Sequence, residues 1–194
     1  MTPEQFSIAW KQKQDNLVPL DKEWLITLGL KPSTIEFLAL SGLPNSAAPF
    51  LSFVKGSGNE YDCVSLLTKQ YDFLEEEFDK YVYIGSCSDG NPIVINTAEG
   101  DRIEELDHED YFSPYNVFNT SINELAECLL CYRNFVARVI RENGGDAVIE
   151  SNFTDEQIET LKQQLVAADS TSMADGSFWK YQLEMELATR EANR

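Results

Sequence analysis

Histidine is almost missing from this chain: His108 is the one example in 194 residues. Ser-His-Asp and Cys-His catalysis therefore have a single candidate base, and no serine sits in the G-x-S-x-G turn that exposes a nucleophile. Cysteine is sparse too. Cys63, Cys87, Cys128 and Cys131 lack the density of a secreted, disulfide-stapled fold, so reduced thiols and a cytoplasmic setting are expected. No stretch approaches the ~20 apolar residues a membrane span needs. The opening Met1–Trp10 has neither the basic start nor the apolar run of a signal peptide. The last shortage is positive charge: 15 Lys and Arg face 33 Asp and Glu, a formal net charge of −18. Phosphate backbones and anionic lipid repel such a chain, which makes nucleic acid and membrane poor partners. A basic protein is a good one, because complementary fields speed encounter and exclude wrong partners.

What is present reads as an α+β protein with a mixed or antiparallel β-sheet flanked by helices. The length suits one domain with a real core, here expected over residues 1–150, with 151–194 as a C-terminal helical extension packed on the same domain. An amphipathic helix is predicted from Thr2 to about Gln14, with Phe6, Ile8 and Trp10 partly buried. A second follows Lys31-Pro32-Ser33-Thr34 and stops at Gly42 and Pro44. Phe50–Val54 reads as a strand ended by a flexible Gly56–Asn59, whereas Cys63–Phe78 is ambiguous, a strand followed by a helix or an acidic turn. Tyr81–Gly85 and Pro92–Asn96 flank a turn-rich segment and predict a hairpin, with Arg102–Leu106 as a third strand and Val117–Asn119 as a further short one.

The clearest helix starts at Ser121, which forms a capping-box pattern with Glu124. Ile122, Leu125, Ala126, Leu129, Tyr132, Val136, Val139 and Ile140 follow at three- and four-residue steps, a broad buried face. Asn143-Gly144-Gly145 ends it. Thr154 and Gln157 make a second capping box that opens a helix to about Ala168, and Ser177–Asn193 is the last helix.

Few motifs carry chemistry. His108 sits in Glu104-Glu105-Leu106-Asp107-His108-Glu109-Asp110, a run without the alternating oxygen ligands and turn glycine of a hard-metal loop, so a solvated loop histidine is the better reading. Cys128-Leu129-Leu130-Cys131 matches C-x-x-C but falls inside a helix with no second pair, which favours core filling over redox or zinc. Gly85–Asn91 has the glycines of a phosphate loop without Gly-Lys-Ser/Thr, and it joins strand to strand. No catalytic residue, metal ligand or cofactor is assigned. Two acidic stretches remain: five acids and one Lys over Tyr71–Lys80, and seven acids and one Arg over Glu99–Asp110. They are either solvated faces or a surface for a basic partner. On the second reading the contact residues are Glu104, Glu105, Asp107, Glu109 and Asp110, with Asp72, Glu75 and Glu76.

The ordered series of short motifs resembles the SUKH superfamily, which includes yeast cell-wall-synthesis regulators and many bacterial immunity proteins. The residues carrying the resemblance are Phe37–Pro44 before Phe50–Phe53, then Ile84-Gly85, Pro92–Asn96, Gly100, Leu106-Asp107-His108-Glu109, and Val117–Ser121 before the long helix. They span roughly residues 30–137. The terminal Trp-bearing helix resembles one immunity subgroup. The resemblance implies a sheet flanked by helices and non-catalytic, cytoplasmic neutralisation of a cognate toxin protein. The alternative it carries is an intracellular regulatory scaffold like the yeast members.

Overall fold

The computed structural model describes residues 1–10 and 17–193. Helix α1 (Pro3–Trp10) buries Phe6 and Trp10 but leaves Ile8 exposed. At 3.6 residues per turn, positions 6 and 10 share a face and position 8 points away from it, so the expectation for Ile8 is corrected. The part of that predicted helix beyond Trp10 lies outside the described residues. Strand β1 (Leu17–Val18) pairs with β2 (Leu43–Pro44), and between them run α2 (Lys22–Thr27) and α3 (Pro32–Leu40). Pro32 opens α3, where its missing N–H costs nothing. Gly42 closes the turn with φ +66°, and a β-carbon there would stand 1.8 Å from the carbonyl oxygen of Val18. Only glycine fits the place where α3 hands over to β2.

The main sheet is built from β3 (Ser46–Ala47), β4 (Leu51–Phe53), β5 (Gly56–Ser57), β6 (Cys63–Leu66), β7 (Tyr81–Ser86), β8 (Pro92–Asn96), β9 (Arg102–Asp107) and β10 (Ser113–Asn119). Its backbone order is β10-β9-β8-β7-β4-β3, with β6 also on β7 and β5 on β6. Every pairing is antiparallel except β5 with β6. The predicted hairpin and meander are there as β7, β8 and β9. The segment expected to be flexible holds β5, and the ambiguous stretch resolves into β6, a single turn α4 (Leu67–Gln70), and a 3-10 turn at Glu76–Lys80.

Helix α5 (Ile122–Asn143) is capped by the Ser121 hydroxyl, which accepts the Glu124 N–H. The Glu124 carboxylate accepts from Thr120 rather than from the cap N–H, so half of the predicted box forms. The box opening α6 (Asp155–Ala168) is complete: the Gln157 N–H donates to Thr154 Oγ1 at 3.1 Å, and the Thr154 N–H donates to Gln157 Oε1 at 2.8 Å. The buried face of α5 differs from the expected stripe. Cys128, Leu130 and Phe135 are buried, Val136 is half-buried and Ile140 exposed. The reason is α6, which packs along α5 and seals a second flank of it, with Phe135 5.7 Å from the Phe153 ring.

The C-terminal elements join the same core. Helix α7 (Phe178–Ala192) stacks Phe178 on Phe118 at 3.9 Å and sets Trp179 against Phe118 and Tyr132. Along the outer edge of β10, the Val117 N–H donates to the Gly176 carbonyl at 2.9 Å. Behind that edge is a buried polar knot. Asn119 Nδ2 donates to Asp169 at 2.9 Å, Asn119 Oδ1 accepts the Trp179 indole N–H at 3.0 Å, and Asp169 also accepts from Thr120 and Thr171. Burial pushes the Asp169 carboxyl up, but these hydrogen bonds outweigh it and leave it below its ordinary value. The contribution of Asp169 is thus complete above the unfolded-state pKa of about 3.9 and is lost as pH falls through the lower native value. Denaturant melts from pH 6 to pH 2.5 should show stability falling below about pH 4. Asp169→Asn should flatten that acid limb and lower stability at neutral pH by about 1–3 kcal/mol. A variant as stable as the parent at pH 6 would refute this role.

Candidate partner-binding surface

The 67–80 segment crosses over β6 and β7 and buries Leu67, Leu74 and Phe78. Next to it lies the β9–β10 turn, where the Phe112 N–H donates to the Asp107 carbonyl at 2.7 Å. Tyr111 and Phe112 both take positive φ, 50° and 58°, a conformation that non-glycine residues hold only when their surroundings enforce it. The turn sends Phe112 inward and Tyr111 out. Phe112 meets Tyr71 at 4.5 Å, Phe73 at 6.0 Å and Phe78 at 6.4 Å, while Tyr111 meets Phe78 at 5.8 Å. These rings draw the two acidic stretches together.

Asp72, Glu75, Glu76, Glu109 and Asp110 are exposed on this surface and Asp107 is half-buried. Asp107 accepts the N–H groups of Glu109 and Asp110, and Asp110 accepts the Ser113 hydroxyl. Among the described residues none of these six carboxylates forms an ion pair. Glu77, outside the predicted set, is exposed beside them.

Glu104 and Glu105 are not on this surface, which corrects their assignment as contact residues. They are 1% and 3% exposed. On one face of β9, Glu104 pairs with Arg102 at 2.6 Å and accepts both bonds from Asn96 Nδ2. On the other face, Glu105 accepts from Asn91 at 2.9 Å and from Asn116 at 2.8 Å. They fasten β9 to its neighbours. The surface also includes residues that charge counting misses: Phe73 and Tyr111 are 62% and 57% exposed. The available signal was a Phe and a Tyr each flanked by acids in turn-like sequence.

The remaining motifs take structural roles. His108 is exposed in the turn, with Nδ1 2.8 Å from Asn91 Oδ1, so it links the β7–β8 loop to the β9–β10 turn. Cys128 and Cys131 lie within α5. Burial pushes both thiols up, Cys131 to about 11, the reverse of what a redox pair needs. Cys87, Asp89 and Glu105 bring three donor atoms within 4.8 Å of one another. Burial first, then the charges of Glu105 and Asp89, keeps the Cys87 thiol protonated. A metal would have to displace that proton and the Asn91 and Asn116 bonds as well. A groove between the β3–β4 turn and α5, lined by Trp10, Phe50, Tyr132, Val136 and Ile149, contains no histidine or cysteine.

The fold is an α+β core that carries an acidic, ring-bearing surface. The chain belongs to the SUKH-4 immunity protein family, whose model matches residues 10–185. The match reaches beyond the motifs at 30–137 to take in α6 and half of α7. No curated protein and no solved structure matches the chain. Among the described residues, no helix is long and apolar enough to cross a membrane.

Proposed function

We propose that this chain is a non-catalytic, cytoplasmic immunity protein that neutralises a cognate toxin by covering it with the surface formed by the 71–80 segment and the β9–β10 turn. Membership of an immunity family supports the role. The observation that carries the location is the set of six carboxylates, free of ion pairs among the described residues, which the fold gathers near exposed rings. Unpaired like charges give the isolated protein no stability, and a basic partner turns their repulsion into attraction. The partner is accordingly a basic toxin, and its own surface supplies the missing cations.

The test is the triple substitution Asp72→Lys, Glu76→Lys and Glu109→Lys. All three side chains are exposed, so the melting temperature should stay level or rise. Association with the cognate toxin domain should slow by about tenfold or more, and its salt dependence should flatten, as steering is lost. Stopped-flow binding at two salt concentrations measures both. An unchanged rate and salt slope would place the interface elsewhere.

A further inference from the structure

We propose that the exposed rings of Phe73 and Tyr111 receive arginine side chains of the partner, each guanidinium lying on a ring and held by the carboxylates beside it. This rests on the reading above and names the chemistry by which that surface would recognise its partner.

The chain itself holds one cation between a ring and a carboxylate. Arg190 lies 4.9 Å over the Phe153 ring while its guanidinium bonds Asp155, two residues along, at 2.8 Å. Phe73 has Glu75 at the same spacing and Asp72 adjacent. Tyr111 has Glu109 two residues before it and Asp110 adjacent. Ring and carboxylate recur at both places, and among the described residues no cation of this chain lies over either ring. The nearby Lys80 is turned to Tyr81, 5.1 Å from that ring. Other cations of the chain are held elsewhere: Lys55 by Asp62, Arg102 by Glu104, Arg138 by Glu142 and Glu156, and Lys180 by Asp175. Among the described residues, both rings are open to a cation from outside.

Arginine suits the site better than lysine. A planar guanidinium can lie flat on a ring and still direct N–H groups along its edge to a carboxylate, whereas an ammonium is a strongly hydrated point charge. Large aromatic side chains fixed by packing from below are also the usual anchors of an interface. Phe73 and Tyr111 are fixed in this way, by Phe112 and Phe78.

The experiment titrates the full chain by calorimetry at low salt with two capped peptides, one alternating arginine and glycine, the other lysine and glycine. The arginine peptide should bind roughly fivefold more tightly, the factor expected of an exposed cation–π contact. Phe73→Leu with Tyr111→Leu should abolish that preference while leaving lysine-peptide affinity and melting temperature near the parent values. Because Phe73 also packs on Phe112, Tyr111→Leu alone is the second variant and should remove part of the preference, whereas Tyr111→Phe should retain it. Equal affinity for the two peptides, no binding of either at millimolar concentration, or a preference that survives both Leu substitutions would each overturn the proposal. Failure here is separable from failure of the functional reading. If toxin association depends on Asp72, Glu76 and Glu109 but toxin dissociation is unmoved by Tyr111→Leu, the acidic surface stands and the arginine anchors fall.

Discussion

Trp179→Ala should lower the unfolding free energy by about 3–5 kcal/mol, a large part of what a domain of this size has to spare. Trp179 is fully buried between Phe118, Tyr132 and Phe178, and its indole N–H is the donor that satisfies Asn119. Truncation opens a cavity and at the same time strips one bond from the Asn119–Asp169 knot. Trp179→Phe separates the two effects. It keeps most of the apolar volume and loses the donor, so about 1–3 kcal/mol should go. Urea melts followed by circular dichroism measure both. A cost below about 1 kcal/mol for the Ala variant, the size of an ordinary surface change, would mean that α7 is an appendage and not part of the core.

The second large effect is a contrast between two glutamates four residues apart. Glu105→Lys should destabilise by about 3–5 kcal/mol or prevent folding, because it buries an ammonium against the Asn91 and Asn116 amides, which lose Glu105 as their acceptor. Glu109→Lys makes the same change of charge on an exposed turn and should leave the melting temperature level or slightly raised. Thermal melts of the two single variants decide it. Equal melting temperatures would show that Glu105 is as solvated as Glu109.

That contrast also marks the limit of what the residues reveal in order. Helix starts were legible because their cause is local: Ser121 and Thr154 lie three residues before the groups they cap. The β7–β8 hairpin and the β9 strand were legible because β-branched runs and turn residues alternate within a few positions. The fate of Glu104 and Glu105 was not. A run of acids looks solvated until pairing brings Asn116 across from Glu105 and sets Asn96 opposite Arg102, and only then do two adjacent carboxylates acquire internal partners on opposite faces. The ring cluster was hidden for the same reason. Phe73 and Phe112 touch across nearly forty residues of chain, and nothing near either one announces the other. On α5, Val136 and Ile140 matched the periodicity of a buried face, but periodicity cannot say where the covering elements stop.

The bond between the Val117 N–H and Gly176, with Phe178 stacked on Phe118, has a consequence for synthesis. Strand β10 and helix α5 are translated well before α7, yet their outer edge and an aromatic flank are closed only by Gly176 and Phe178, which come much later in the chain. A nascent chain that has released everything up to α6 still holds Phe118, Tyr132 and an open strand edge toward water, a surface prone to pairing with other chains. This part of the core is completed only once α7 has been made. A message truncated before Trp179 would therefore yield a sticky intermediate rather than a smaller working protein.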